Sequence, residues 1–439
     1  MSRLKNFKRC CLAFAVSQAI SMPVEAALIT VTSNADTSGA NSSSCTLRDA
    51  ILSANTNSAV SGSSCTAGAG DDIIEFSNSL ANQRITLSLG ELPEITSGIS
   101  INGLGQNETL IDANNRSRIF TISLGGSLTV HELTLTNGSS DLGGAIRASN
   151  GSLTINNSKL NNNYASNSGG AIDTSTGASV TITNSIISNN SAGSAGGGLT
   201  VFNTMSVSVN NSIVEGNSSN FNGGGIFVQS RASLALTNST VTNNSSDGSG
   251  GGLYSSVESI ISVESTTISN NTAGSVGGGT HSTGSKAGGN GIVLRNSILS
   301  GNTAANEGHE SSGDVGIYNS LVGNETLTFV QAIDGATLDT NDNIIATSDG
   351  NRPTAIQNII LPLGDNGGPT STHALPEFSP AINAANNSNC PSIDQRSEPR
   401  NDGFCDIGAF EAFGLAGDPR ATDNLNPIIP PILDLLFEE

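Results

Sequence analysis

Apolar and polar residues alternate along the middle of the chain in short runs. Ser179-Val180-Thr181-Ile182-Thr183, Ser206-Val207-Ser208-Val209 and Ser233-Leu234-Ala235-Leu236-Thr237 each put every second residue on one face. A period of two is strand periodicity, and β-branched residues suit it. The repeat region sustains no helical stripe, and the dense leucine lattice of a leucine-rich repeat is missing.

The runs recur at a fixed step. A Ser/Thr-x-aliphatic-x-x-Asn motif occurs at Ser158-Leu160-Asn163, Ser185-Ile187-Asn190, Ser212-Val214-Asn217, Ser239-Val241-Asn244 and Thr266-Ile268-Asn271, with the asparagines 27 apart. A sixth copy, Ser297-Leu299-Asn302, follows after 31, so one coil carries a four-residue insertion. A glycine pair or triplet, followed by apolar residues, places Ile146, Ile172, Leu199, Ile226, Leu253 and Thr280 at steps of 26 and then 27. A constant step with constant chemistry predicts coils stacked at the strand spacing, about 4.8 Å, with like side chains over like. The fold class this implies is all-β, a right-handed parallel β-helix with coils of about 27 residues.

Stacking assigns roles to the repeated polar residues. The motif asparagines are expected to bond up and down the stack as a ladder, and Asn157, Asn184, Asn211 and Asn238 to form a second one. The glycines are expected where the backbone needs φ > 0 or where coils approach closely. An open solenoid exposes sheet edges and needs caps. Residues 27–100 are therefore read as the N-terminal cap and first coils, 101–302 as the repeats, 303–411 as C-terminal coils and cap, and 412–439 as a tail. Arg48-Asp49 and the set Asp394, Arg396 and Glu411 are read as ion pairs of the two caps.

Residues 1–26 read as a secretory signal. Arg3, Lys5, Lys8 and Arg9 precede the apolar stretch Cys10–Met22, and Val24-Glu25-Ala26 supplies a small-residue cleavage site. The whole chain has 17 Lys+Arg against 37 Asp+Glu. Removing the signal's four basic residues and one acid leaves 13 against 36, a formal charge of −23. Such a surface repels nucleic acid and anionic lipid, so neither is an expected partner. The mature chain is expected to contain no transmembrane segment. Cys45, Cys65, Cys390 and Cys405 remain, and three connectivities are available. Export and the short separations favour Cys45–Cys65 and Cys390–Cys405.

Gly143-Gly144-Ala145-Ile146 and Gly169-Gly170-Ala171-Ile172 resemble the Gly-Gly-Ala-Ile repeats of polymorphic outer-membrane proteins, bacterial surface β-helices. The Phe-x-x-Asn repeat of that family appears here with Leu, Ile or Val in place of Phe. Cys45-Thr46-Leu47-Arg48-Asp49-Ala50-Ile51 is similar to the CSLREA motif of exported bacterial β-helix proteins. Leu363 to Thr370, Asp394-Gln395-Arg396 and Cys405 to Glu411 resemble the choice-of-anchor domain at the end of such proteins. The resemblance implies architecture and export to the periplasm, cell surface or medium, and leaves activity open.

Two functions fit these features. One is an adhesin-like binding platform for a carbohydrate or a host or cell-surface macromolecule. The other is a polysaccharide lyase, hydrolase or epimerase built on the same scaffold. No nucleophile elbow, phosphate loop or metal-binding histidine motif is present. The candidate binding column comes from the period of two. If Ile146 and its equivalents point inward, the next residues point outward: Arg147, Asp173, Thr200, Phe227, Tyr254 and His281. Three consecutive rings in a chain with 4% aromatic residues predict an exposed aromatic strip. No organic cofactor is implied. Asp339-Thr340-Asn341-Asp342-Asn343 offers oxygen ligands of the kind calcium takes, so Asp334, Asp339 and Asp342, with Asp349 nearby, are the candidate calcium ligands.

Overall fold

One coil runs through four short strands. Ser152–Asn156, Lys159–Asn161, Tyr164–Ser168 and Ile172–Ser175 follow one another, and Ser179–Thr183 begins the next coil directly above the first. Repetition of this path builds four parallel sheets of twelve, eleven, seven and nine strands. The fold is a parallel β-helix. It is seen in a computed structural model that describes residues 25–39, 44–203, 206–284, 291–338, 342–400 and 403–412. The expected signal sequence almost entirely, nearly all of the tail, and Asp339 lie outside the described residues.

Strand register reproduces the sequence step. Leu153, Val180, Val207, Leu234 and Ile261 pair in succession and form one inward column. Leu160, Ile187, Val214, Val241, Ile268 and Leu299 form another, each fully buried. These columns merge into one continuous core.

The motif's two polar positions close the corners between strands. The Ser185 backbone N–H donates to Ser212 Oγ at 3.1 Å, and that hydroxyl donates to Asn210 O at 2.7 Å. The same pattern runs from Ser158 to Ser320. The asparagine ladder is tighter. Asn190 Oδ1 accepts from both the backbone N–H and the Nδ2 of Asn163, at 2.9 and 3.0 Å. Asn190 Nδ2 in turn donates to Asn217 Oδ1 at 2.9 Å and to Leu160 O at 3.0 Å. From Asn190 onward each buried amide thus uses both acceptor sites and both donors, the condition under which burying a polar group is cheap. The ladder continues through Asn244, Asn271 and Asn302.

Glu310 ends it. Its carboxyl group takes the place of the next amide, accepting from Asn302 Nδ2 at 2.7 Å, Asn302 N at 3.2 Å and Gly301 N at 2.8 Å. Burial pushes its pKa up to about 8, against the pull of those three donors.

The second asparagine column is different from the ladder expected of it. Asn157, Asn184, Asn211 and Asn238 have φ of 47°, 51°, 48° and 46°. They turn the corner between the twelve- and eleven-stranded sheets in the left-handed region, which asparagine tolerates better than other non-glycine residues. No hydrogen bond joins their side chains to one another among the described residues. Glycine answers a tighter demand at the opposite corner, where a Cβ on Gly170 would lie 2.0 Å from the Gly197 carbonyl oxygen of the next coil.

Both ends are covered. Helix α1 (Leu47–Thr56), capped by the Thr46 hydroxyl, buries Leu47, Ala50, Ile51 and Ala54 against the first strands. The Cys45–Cys65 disulfide joins its start to the following loop. Arg48 pairs with Asp36 at 2.7 Å, not with its neighbour Asp49, which accepts the Gly39 N–H instead. A helix points successive side chains in different directions, so adjacent residues rarely face one another. At the far end, Leu327 and Phe329 pack on the core around the short helix α2 (Phe329–Ala332).

From about residue 355 the chain turns back and lies along the outer face of the eleven-stranded sheet. Thr240 Oγ1 donates to Gln395 Oε1 at 2.6 Å, Ala409 N donates to Thr267 Oγ1, and His373 Nε2 lies 2.9 Å from Ser269 Oγ. Ile359, Leu375, Ala381 and Ile407 form a second apolar cluster over Ile298 and Leu321. Arg396 pairs with Asp394 at 2.7 Å and stacks on the Phe410 ring. Glu411 pairs with Arg400, both fully buried, and Cys390–Cys405 closes the segment.

The two asparagine columns respond differently to one substitution. Asn217→Gly leaves the Asn190 backbone N–H and one Nδ2 hydrogen unpaired in the interior and is expected to cost about 2–5 kcal/mol. Asn211→Gly keeps a left-handed corner and is expected to change stability by less than about 1 kcal/mol. Thermal or denaturant unfolding of the pair checks this.

Glu310 adds a pH dependence. Its ordinary pKa is 4.5 and its folded value about 8. Between those values the folded chain holds a proton that the unfolded chain has released, so stability falls as pH rises across that window. Melting curves are expected to show this decline, and Glu310→Gln to flatten it.

Candidate functional site

The outward residues of the nine-stranded sheet follow the register read from the repeats. Thr121, Arg147, Asp173, Thr200, Phe227, Tyr254 and His281 are successive partners, continuing to Ser312 and Asp334. Phe227 and Tyr254 stack with ring centroids 5.1 Å apart, and the His281 ring is tilted by 42° against Tyr254 with centroids 5.2 Å apart.

The strip is not exposed as expected. Phe227 and Tyr254 are each 8% accessible and form a small cluster with Ala195, separate from the main core. The glycine corner beside them is the reason. Gly223 and Gly250 turn with φ of 65° and 67°, and a Cβ on either would come within 2.9 Å of the Cβ of Phe227 or Tyr254. The backbone therefore rises against the base of each ring and walls the column on one side. His281 is half-buried, and burial holds its pKa below the usual histidine value.

The walls make a cleft of about 500 Å³ over the lower part of the column. Its floor is Arg147, Asp173, Thr200 and Phe227. Asn167, Ser194 and Phe221 line one side and Ser175, Phe202 and Gln229 the other. Two rings stand at the mouth, Phe221 at 61% exposure and Phe202 at 37%. Sequence reasoning missed both. Phe202 pairs with Gln229 two residues beyond the Thr200 position, so extending the period of two by one step finds it. Phe221 lies in a turn with no periodic signal.

Arg147 and Asp173 carry the charge of the floor. Asp173 is nearly inaccessible, and Arg147 Nε stands 4.0 Å from its Oδ1. That Nε is buried and has no hydrogen-bond partner among the described residues. Burial raises the Asp173 pKa to about 7, opposed by Arg147 and Arg118 and reinforced by Asp141. Arg118 is fixed at the edge of the site by the Leu142 and Gly143 carbonyls, by Thr121, and by Asp141 at 3.1 Å. Glu91 closes this cluster through Thr121 and Arg118.

The candidate calcium residues sit elsewhere. Asp334 accepts a hydrogen bond from Ser312 at the upper end of the column. Asp349 caps α2 by accepting the Phe329 N–H at 2.7 Å. Asp342 is exposed, and Asp339 lies outside the described residues. Among the described residues no three His, Cys, Asp or Glu side chains converge as a metal site. No helix of the described residues is long and apolar enough to cross a membrane.

Residues 238–256 match the Chlamydia polymorphic membrane protein (Chlamydia_PMP) repeat. Comparison with curated proteins finds no match. Among solved structures, the fold is similar to the crystal structure of pectate lyase Pel9A, with a TM-score of 0.55 over 88% of this chain and 96% of that one. Sequence identity is 14%, so the likeness is one of fold.

The electrostatics of the floor are directly measurable. The Asp173 carboxyl is expected to titrate near pH 7 by carbon-detected NMR. Arg147→Met removes the nearest opposing charge and is expected to move that midpoint higher. A midpoint in the ordinary aspartate range would contradict the burial described for this side chain.

Proposed function

We propose that this chain is an exported, adhesin-like β-helix that holds a polysaccharide in the cleft of its nine-stranded sheet. The cleft itself carries the reading. Phe202 and Phe221 present half-exposed to exposed faces on opposite walls, above a floor where Arg147 Nε has no hydrogen-bond partner among the described residues. Sugar rings offer apolar C–H faces to aromatic side chains and hydroxyls to buried donors, so this arrangement suits a glycan better than a peptide strand. A peptide adding to a sheet would need an unpaired edge, and the coils between the caps pair with a neighbour on either side.

Export fits the two disulfides, which belong to oxidising compartments. The polymorphic membrane protein repeat match favours the cell surface. The fold-level likeness to a pectate lyase supports a polysaccharide as the ligand class. Binding to a cell-surface glycan and binding to a free polymer share this chemistry.

Affinity electrophoresis in gels containing polygalacturonate, arabinoxylan or mixed-linkage β-glucan tests the proposal. The chain is expected to be retarded by at least one of them. Phe202→Ala and Phe221→Ala are each expected to weaken that binding about five- to tenfold, near 1 kcal/mol per ring. Absence of retardation in all three gels, or retardation unchanged in the double variant, would remove this cleft as the binding site.

A further inference from the structure

The strand Leu28–Val31 begins the twelve-stranded sheet and pairs in parallel with Asp72–Phe76, Leu28 beside Ile73. One residue earlier, Ala27 is held at both of its backbone polar groups. Its carbonyl accepts the Ile73 N–H at 2.9 Å, and its nitrogen donates to Asp72 Oδ1 at 3.1 Å. Asp72 is 1% exposed. The Ala69 N–H donates to the same Oδ1 at 2.7 Å and fixes the carboxyl group. Oδ2 is buried and has no hydrogen-bond partner among the described residues. No arginine, lysine or histidine among them pairs with Asp72. The charged groups on the elements around this strand are Arg48, which pairs with Asp36, and the acids Asp49, Asp71 and Glu75. A carboxyl group this buried calls for a cation, and no side chain there supplies one.

The amino terminus can supply it. Val24-Glu25-Ala26 ends the stretch read as a secretory signal, and Glu25 and Ala26 are exposed. Cleavage after such small residues makes Ala27 the first residue. We infer that the chain is processed between Ala26 and Ala27 and that Asp72 is the receptor for the ammonium group this frees. Hydrolysis breaks the bond from the Ala26 carbonyl carbon to the Ala27 nitrogen and consumes one water. The hydroxyl of that water bonds to the carbon, and the nitrogen keeps the electron pair and takes the remaining proton. At neutral pH the new carboxyl group releases a proton and the new amine gains one. The Ala27 nitrogen already stands at hydrogen-bond distance from Oδ1, so capture needs no movement of the backbone. An ammonium group has three donors where the peptide had one. Freed from the peptide plane of Ala26, it can turn a second donor toward Oδ2. A neutral hydrogen bond becomes a buried ion pair, and the first strand of the solenoid is held more firmly in the processed chain than in its precursor. This device is independent of what the cleft binds.

The pH dependence has a defined sign. The pair favours the charged form, so the folded chain holds the α-amino pKa above its ordinary value of about 8. The stability it contributes is complete below about pH 8 and is lost as pH rises through the raised folded value.

The test produces the full-length chain in a bacterial host that exports it. Intact mass and N-terminal sequencing are expected to give Ala27 as the first residue, and any other start overturns the proposal. A second form carries an inserted Gly-Ser between Ala26 and Ala27, which moves the ammonium group away and leaves the Ala27 N–H in place. At pH 7 its unfolding equilibrium constant in denaturant titrations is expected to be about tenfold larger. That gap is expected to close above about pH 10 and to be absent when both forms carry Asp72→Asn. Equal stability at pH 7, a gap that persists above about pH 10, or a gap kept in Asp72→Asn overturns the ion pair. An NMR titration of the Ala27 amino group in the wild-type chain needs no variant to fold. A midpoint above about 8 is expected, and one at or below that value contradicts capture by Asp72.

Discussion

In this solenoid every coil must repeat the polar geometry of the one beneath it, because the buried asparagine amides bond to one another along the stack. Asn190 shows the constraint. Its oxygen takes two donors from Asn163 and its nitrogen serves Asn217 and Leu160. A change of coil length at that corner would leave several buried groups unpaired. The four-residue insertion before Asn302 is accordingly placed elsewhere in the coil, and the Asn271–Asn302 bond keeps its 2.9 Å length. The last rung needs an acceptor without a further amide to serve, and Glu310 supplies it.

The candidate site depends on that regularity. Since the register is fixed, the outward column of the nine-stranded sheet is fixed with it, and one substitution per coil writes a new surface. Arg147, Asp173, Thr200 and Phe227 are variations at a single repeat position. The glycine corners then decide how much of that surface is reachable. They crowd Tyr254 as well as Phe227, while the turn carrying Phe221 and the strand end carrying Phe202 open the cleft around the lower coils. A buried aspartate beside an arginine whose Nε has no hydrogen-bond partner among the described residues follows from the same walls.

Much of this was legible in the sequence. A step of 27 with Ser, aliphatic and Asn at fixed offsets contains the register, the inward columns and the buried ladder. The outward column is found by moving one residue along each strand. The second asparagine column was misread because spacing does not distinguish a side chain that bonds across coils from one chosen for a left-handed backbone. The exposure of Phe227 and Tyr254 was misread because it depends on how high the neighbouring corner rises, which no periodicity encodes. The ion pairs of the caps obeyed three-dimensional proximity. Arg48 found Asp36, and Glu411 found Arg400. The return of residues 355–412 along the eleven-stranded sheet had no repeat to announce it, although Thr240, Thr267 and Ser269 are the small polar residues such a covering segment needs.

The central claim is that a glycan occupies the cleft above Arg147 and Asp173. Hydrogen exchange measured with and without an oligosaccharide of the retained polymer tests it most directly. Added protection is expected on the strands Ile146–Ser149, Ile172–Ser175, Leu199–Phe202 and Ile226–Gln229 and on the turn around Phe221. Protection confined to the twelve- or eleven-stranded sheet, with those segments unchanged, would contradict it.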